Sequence, residues 1–289
     1  MKSIVYKNPA AKQKIMSLYD QKLASLPVQP QSIYVDTFAG KTHVLKLGAD
    51  HLPPLVLFHG INAGAAVSLK VIHSLQTQYR LFAIDTIGQA TRSAETRLSL
   101  KGPDLGRWIA ETLDALKIQK ACMVGISYGA FLLQKFLQFA PKRVEKAIFV
   151  VPSGLVNGAI WPSLRQLSWP LLRFQMTKSK AHLHEFLKAF HQMPIDPFWS
   201  ELHYHLLTGT HMDYRRPPLL RPSEVAAVVA PVYMIGAEND IFFPAEVAVV
   251  QCKACFSNFQ EAYLLKESKH IPDPNSYAEI KEKIAYWLQ

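Results

Sequence analysis

Short apolar segments recur along the chain, and helix-like segments lie between them. Predominantly apolar runs cover residues 54–58, 79–84, 121–124, 147–151 and 231–235, with a further possible strand at 262–265. Runs of this length are typical of parallel strands that are covered on both faces. Helical patterns such as 104–116 and 128–139 separate them, which indicates right-handed crossovers. The pattern predicts an α/β fold with a mostly parallel, doubly wound sheet.

The part of the chain before residue 54 has a different pattern from the alternating strands and helices. Residues 10–26 read as an amphipathic helix, which Pro27 and Pro30 end. Residues 32–37 and 42–47 then predict two short strands joined by a turn.

The alternation also stops between residues 155 and 228, where tryptophans, prolines and histidines are frequent and no buried strand is evident. Because this stretch lies between two core strands, we interpret it as an inserted helical cap. The predicted division is a core of residues 1–154 and 229–289 with a cap of residues 155–228.

Composition narrows the class of protein. Hydrophobic residues make up 49% of the 289 residues and charged residues 19%, which is ordinary globular composition. The formal charge of +10 is spread along the chain, so we expect a solvated basic surface and no nucleic-acid partner. Weak attraction for anionic substrates or lipid surfaces stays open. No apolar run approaches the roughly 20 residues of a membrane span, and we expect no stable membrane association.

The first residues of the chain carry positive charge without an apolar stretch behind them, so no secretory signal is predicted. The expected location is therefore the cytoplasm. Three cysteines do not make a disulfide framework. Cys252 and Cys255 lie in an apolar helical run, and we expect them to be buried or half-buried; Cys122 lies in a strand-like run, and we expect it to belong to the core.

The strongest chemical motif is Gly-Ile-Ser-Tyr-Gly at residues 125–129. It follows a predicted strand and precedes a predicted helix, the context in which a GxSxG motif presents a nucleophilic serine on a tight turn. The flanking glycines allow the backbone to pack closely there. The motif predicts Ser127 as the nucleophile.

A serine hydroxyl needs a base, and the base needs a third group to orient it. Asp240 and His270 each follow a predicted strand, in the chain order nucleophile, acid, histidine. Because loops at the carboxyl ends of parallel strands meet in one crevice, we expect the three side chains to converge. Glu238 is the nearest alternative to Asp240.

An oxyanion hole should complete the site. We expect one donor to be the backbone amide of Tyr128, which follows the nucleophile. The second is expected from the loop after the first core strand, at the amide of Ile61. The neighbouring residues His59, Gly60 and Asn62 are predicted to contact the substrate.

Six cap histidines raise the question of a metal site: His182, His184, His191, His203, His205 and His211. Two of them, two residues apart, would point about 200° apart on a helix. We therefore predict no metal site and no cofactor, and interpret the aromatic cap residues as the ceiling of an apolar pocket.

Together these motifs resemble the α/β-hydrolase superfamily, in its branch of small capped esterases, lactonases, carbon–carbon bond hydrolases and haloperoxidases. The resemblance rests on His59-Gly60, the segment 85–93, the Ser127 motif, Asp240 and His270, and it covers about residues 30–289 outside the cap. Two positions depart from the family pattern, since Ala90 and Lys269 stand where glycines are usual.

The resemblance implies a serine hydrolase that cleaves a small, hydrophobic carboxylic ester, with a small molecule as its partner. A lactonase, thioesterase, carbon–carbon bond hydrolase or perhydrolase on the same triad remains an alternative, as does a ligand receptor with slow turnover. The oligomeric state is left open.

Overall fold

The apolar segments form the strands of one eight-stranded sheet in the computed structural model, which describes residues 3–289. The strands are β1 (Gln31–Thr37), β2 (Gly40–Leu47), β3 (Pro54–Phe58), β4 (Arg80–Ile84), β5 (Ala121–Ile126), β6 (Val144–Val150), β7 (Val232–Ala237) and β8 (Phe259–Leu265). Their order is β1-β2-β4-β3-β5-β6-β7-β8. β1 and β2 are antiparallel to their neighbours, and the pairs from β4 to β8 are parallel. The predicted fold class is confirmed.

Helices cover both faces of the sheet. They are α1 (Pro9–Ala24), α2 (Ala65–Ile72), α3 (Asp104–Ala115), α4 (Tyr128–Phe139), α5 (Ile160–Ser163), α6 (Trp169–Thr177), α7 (Lys180–Lys188), α8 (Pro197–Gly209), α9 (Ala245–Cys255) and α10 (Pro274–Leu288). The central strands are apolar throughout because successive side chains enter opposite cores. In β3, Val56 and Phe58 pack with α3 and α4, whereas Leu55 and Leu57 pack with α2 and α10.

The segment between β6 and β7 contains α5 to α8 and has a small core of its own. Phe174, Leu183, Leu187, Phe190 and Leu207 are buried together there. Residues 164–168 form a π-helical stretch that joins α5 to α6 in one continuous helix. This segment lies over the carboxyl edge of the sheet and touches the loops that follow β7 and β8.

Some boundaries differ from the predicted ones. The strand β8 begins at Phe259, three residues before the predicted start at residue 262. β8 is an edge strand whose side chains are mostly half-buried, so its first residues include polar ones and give no apolar run. The first helix ends at Ala24, before the proline that was expected to end it.

All three cysteines are buried and free, as predicted. Cys122 lies in β5, while Cys252 and Cys255 lie on α9. Among the helices in residues 3–289, none has both the length and the apolar content needed to cross a membrane.

Candidate active site

Ser127 lies at the turn between β5 and α4, in a strained backbone conformation. Its φ is 52° and its ψ is −114°, outside the regions that residues with a Cβ normally adopt. The turn is held by the amide of Ser127, which donates to the carbonyl of Val150 at 2.8 Å. The carbonyl of Ser127 accepts from the amide of Ala130 at 2.9 Å. Such strain at an ordered position is typical of functional sites.

The glycines of the motif are required by close backbone contacts. A Cβ on Gly125 would lie 2.5 Å from the carbonyl oxygen of Gly129. A Cβ on Gly129 would lie 2.1 Å from the carbonyl oxygen of Phe58, at the end of β3. Both distances are far below contact distance, so any larger residue would force α4 away from the sheet.

The structure brings Ser127, His270 and Asp240 into one hydrogen-bonded chain. His270 Nε2 lies 2.9 Å from Ser127 Oγ, and His270 Nδ1 lies 2.7 Å from Asp240 Oδ2. Asp240 is on the loop after β7 and His270 on the loop after β8, at the carboxyl ends of neighbouring strands. The geometry is that of a nucleophile, a base and an orienting acid.

The second oxygen of Asp240 is also occupied. Oδ1 accepts from the amides of Phe242 at 2.8 Å and Phe243 at 3.1 Å, and the side chain of Asp240 has no exposed area. The rings of Phe242 and Phe243 pack edge-on against His270. The alternative acid, Glu238, is exposed and accepts from the amide of Glu267. Asp240 is therefore the carboxylate that contacts His270.

Two backbone amides near Ser127 have no acceptor among residues 3–289. Within the part of the chain that the structure describes, neither the amide of Ile61 nor that of Tyr128 donates a hydrogen bond to another protein atom. The loop that carries Ile61 passes close to the serine, because a Cβ built on Gly60 would lie 3.6 Å from Ser127 Cβ. The two amides are available to an oxygen bound beside Ser127.

The three residues predicted to contact the substrate lie in different places. Gly60 lines the cavity at Ser127, and Asn62 lines a smaller adjoining cavity. The prediction for the His59 side chain is corrected, because that side chain is completely buried. Its Nδ1 donates to the carbonyl of Gly60 at 2.7 Å, and its Nε2 accepts from the amide of Thr86 at 2.9 Å. His59 fixes the loop and does not reach the cavity.

A second buried carboxylate, which was predicted only as part of the loop at residues 85–93, supports the same edge of the sheet. Asp85 contacts His43 Nδ1 at 2.8 Å, the Tyr19 hydroxyl at 3.0 Å and the amide of Ala65 at 2.7 Å. Burial acts to raise the pKa of Asp85, but the hydrogen bonds from His43 and from the backbone amide of Ala65 help to outweigh burial and lower it. The sequence pattern of β2 did not predict that His43 would contact this carboxylate.

The cavity at Ser127 has a volume of about 300 Å³. Its wall on the core side is formed by small and aliphatic residues, which include Gly60, Ile61, Ala63, Val67, Val71, Ile126 and Val150. Its wall on the side of residues 155–228 is formed by Phe186, Phe190, Trp199, His203, Leu207 and Met212. No Asp, Glu, Lys or Arg lines it among the residues that the structure describes. The cavity suits an uncharged, largely apolar molecule.

The cap histidines do not converge on a common point. His182 contacts Thr177 at the surface, and His205 lies 3.6 Å from Glu201. His191 and His203 pack against each other and against Trp199. In residues 3–289, no three His, Cys, Asp or Glu side chains form a group that could hold a metal ion.

Comparisons with known proteins agree with this architecture. A family model described as the alpha/beta hydrolase fold matches residues 53–187. Carboxylesterase YbfK of Bacillus subtilis is 33% identical over 278 residues, which cover 93% of this chain and 92% of that protein. The crystal structure of naproxen esterase (carboxylesterase NP) from Bacillus subtilis superposes with a TM-score of 0.83 at 21% identity, over 98% of this chain and 100% of that chain.

A structure of the meta-cleavage product hydrolase CumD from Pseudomonas fluorescens IP01 superposes with a TM-score of 0.70 at 16% identity. The superposition covers 89% of this chain and 97% of that chain. At this identity the likeness extends to the fold alone.

Proposed function

Because the chain belongs to the α/β-hydrolase family, we propose that it is a carboxylesterase-type serine hydrolase that cleaves a small, hydrophobic ester through an acyl-enzyme on Ser127. The observation that carries the proposal is the hydrogen-bonded chain Ser127–His270–Asp240, which opens onto an apolar cavity. The similarity to carboxylesterase YbfK, which extends over 92% of that protein, supports the same class of reaction.

In the first half-reaction, His270 Nε2 takes the proton of Ser127 Oγ as this oxygen attacks the ester carbonyl. The Nδ1 proton of His270 stays on the hydrogen bond to Asp240, whose negative charge stabilises the imidazolium that forms. The carbonyl oxygen becomes negative and accepts from the free amides of Ile61 and Tyr128. His270 then donates its proton to the departing alkoxide, which leaves as an alcohol.

In the second half-reaction, water enters the position that the alcohol has left. His270 takes a proton from this water as its oxygen attacks the acyl carbon, and the same two amides stabilise the second oxyanion. The bond to Ser127 Oγ then breaks, the proton returns from His270 to the serine, and the carboxylic acid is released. Acid and alcohol are the two products.

We further propose that residues 155–228 act as the cap of this site, since their aromatic side chains form one wall of the cavity. The cap would exclude bulk water from the acyl-enzyme, which strengthens the electrostatic contacts inside the site. The cytoplasmic location stays a prediction.

A burst-phase assay tests the proposal. With p-nitrophenyl esters of increasing acyl length, we expect a rapid release of one equivalent of nitrophenol followed by slower turnover. Ser127→Ala should abolish both phases, while Ser168→Ala, at an exposed serine on the cap, should leave both phases unchanged. A Ser127→Ala variant that keeps its activity would exclude Ser127 as the nucleophile.

Assays of the same protein with other substrates distinguish the alternative functions. Turnover of lactones or thioesters in preference to esters would identify a lactonase or a thioesterase on the same triad. Cleavage of a diketone would identify a carbon–carbon bond hydrolase, and peracid formation would identify a perhydrolase. Ligand binding without turnover on any substrate would identify a receptor.

A further inference from the structure

The cap wall of the cavity contains one side chain that can accept a strong hydrogen bond. Five of its six residues are aromatic or aliphatic or carry a thioether, and the sixth is His203 on α8. An acceptor in such a wall is costly unless something binds to it. What His203 presents to the cavity therefore determines what the cavity accepts.

The tautomer of His203 is fixed by its own helix. Its Nδ1 lies 2.8 Å from the carbonyl oxygen of Trp199, one turn earlier. A carbonyl can only accept, so the proton of the neutral ring is on Nδ1 and the lone pair is on Nε2. Burial lowers the pKa of His203 to about 4, so the ring is neutral at pH 7. His203 is therefore an acceptor at Nε2 throughout the neutral range.

The Nε2 atom is free and accessible. It has no hydrogen-bond partner among the described residues. It is also not one of the fully buried polar atoms, so a ligand can reach it. The ring is packed by Phe190 at 5.7 Å, His191 at 5.2 Å and Trp199 at 5.8 Å between ring centroids. Three aromatic neighbours restrict its rotation, so the lone pair keeps one direction.

We propose that His203 Nε2 is a subsite for a hydroxyl or amide N–H group on the substrate, so that the preferred ester carries a hydrogen-bond donor on the part that lies under the cap. This inference rests on the proposed ester hydrolysis at Ser127. An acceptor of this kind discriminates between substrates. A methyl group at the same position leaves the acceptor without a hydrogen bond, and a carboxylate places a second lone pair against it.

Matched ester pairs test the subsite. In each pair of p-nitrophenyl esters, the acyl chains have the same number of heavy atoms and end in either a hydroxyl or a methyl group. A second series places the same groups on the alcohol part of acetate esters, and the measurement is the ratio of kcat/KM within each pair. In one series we expect the ratio to favour the hydroxyl at a particular chain length.

His203→Phe keeps the ring size and removes the acceptor. We expect it to lower the hydroxyl-to-methyl ratio at that length by about tenfold, which is the order of one buried hydrogen bond. Because both esters are measured on the same preparation, a reduced folded fraction cancels from the ratio. His205→Phe, on the same helix beside Glu201, is the matched control and should leave the ratio unchanged.

The outcomes separate this inference from the proposed function. If the wild type shows no Ser127-dependent turnover of any ester, the proposed function fails. If it turns over esters but His203→Phe leaves every ratio unchanged, only the subsite is excluded. Should His203→Phe not fold, His203→Leu replaces it. A wild type that favours the methyl ester by more than about tenfold at every length, the cost of burying an unpaired hydroxyl, overturns the subsite without any variant.

Discussion

Two buried carboxylates lie near the carboxyl edge of the sheet, and each contacts a histidine. Asp85 and His43 are both completely buried, and the pair is sealed further by the Tyr19 hydroxyl. Asp240 is equally buried, but its partner His270 keeps 10% of its side chain exposed and faces the cavity. Similar chemical groups therefore support the fold in one case and contact Ser127 in the other.

This difference leads to a prediction for a neutral replacement of Asp240, the proposed orienting acid. Asp240→Asn should lower kcat for a p-nitrophenyl ester by roughly 10⁴, because the amide no longer holds the correct tautomer of His270 or stabilises its charge. Glu238→Gln is the control, since that side chain is exposed and bonds only the loop, and it should change kcat less than about twofold. The reverse pattern would make Glu238 the acid.

At the scale of elements, the contact between α4 and β3 determines where Ser127 lies. Gly129 is inside the first turn of α4, and the carbonyl of Phe58 occupies the space that a side chain would need. The helix can approach β3 only because that position has no Cβ. This close approach also brings the Ile61 loop, which follows β3, beside the serine.

Gly129→Ala tests the contact. Alanine is favoured over glycine inside a helix by about 1 kcal/mol, so propensity alone would make the variant more stable. We expect instead a loss of at least about 2 kcal/mol in the free energy of unfolding, measured by urea denaturation, because the Cβ would overlap Phe58. Gly102→Ala serves as a comparison that measures backbone strain without a steric overlap, because the φ of Gly102 is +81° and no atom lies within 4 Å of the added Cβ. A Gly129→Ala protein as stable as the wild type would contradict this explanation.

The elements that could be predicted are those in which one local signal decides the structure. β3 and β5 are apolar on both faces, and the glycines around Ser127 mark a tight turn, so these positions followed from the sequence. The Asp85 pair and the burial of His59 did not, because they depend on which residues of distant elements meet. The tautomer of His203 likewise depends on a contact inside residues 155–228, which have no recognisable motif.

At the scale of the whole molecule, three histidines are buried in a neutral form. Burial lowers the pKa of His59, of His191 and of His203, the last to about 4. In the unfolded chain each would have a pKa of about 6.5. Below that pH the unfolded state therefore binds more protons than the folded state, and stability falls as the pH falls.

We expect His191 and His203 together to decrease the free energy of unfolding by about 2 kcal/mol between pH 6.5 and pH 5.5, because each binds on average about 0.7 proton more in the unfolded state over this range, and His59 adds to the decrease. Urea denaturation at a series of pH values measures this slope. His191→Phe removes one of the three groups, so its stability should depend on pH less steeply than that of the wild type, by about 1 kcal/mol over this interval. A wild-type stability that stays constant over this range would show that these histidines titrate normally.

The burial of all three thiols makes the chain suitable for site-directed labelling. Burial raises the pKa of Cys122 to about 11 and raises the pKa of Cys252 and of Cys255, so at neutral pH these groups are thiols shielded from reagents. Cysteines introduced at the exposed positions Ser168, on the proposed cap, and Ser257, directly after α9, would react selectively with maleimide dyes. Energy transfer between the two dyes would then report the distance between the proposed cap and the sheet in solution, in a background that retains every native cysteine.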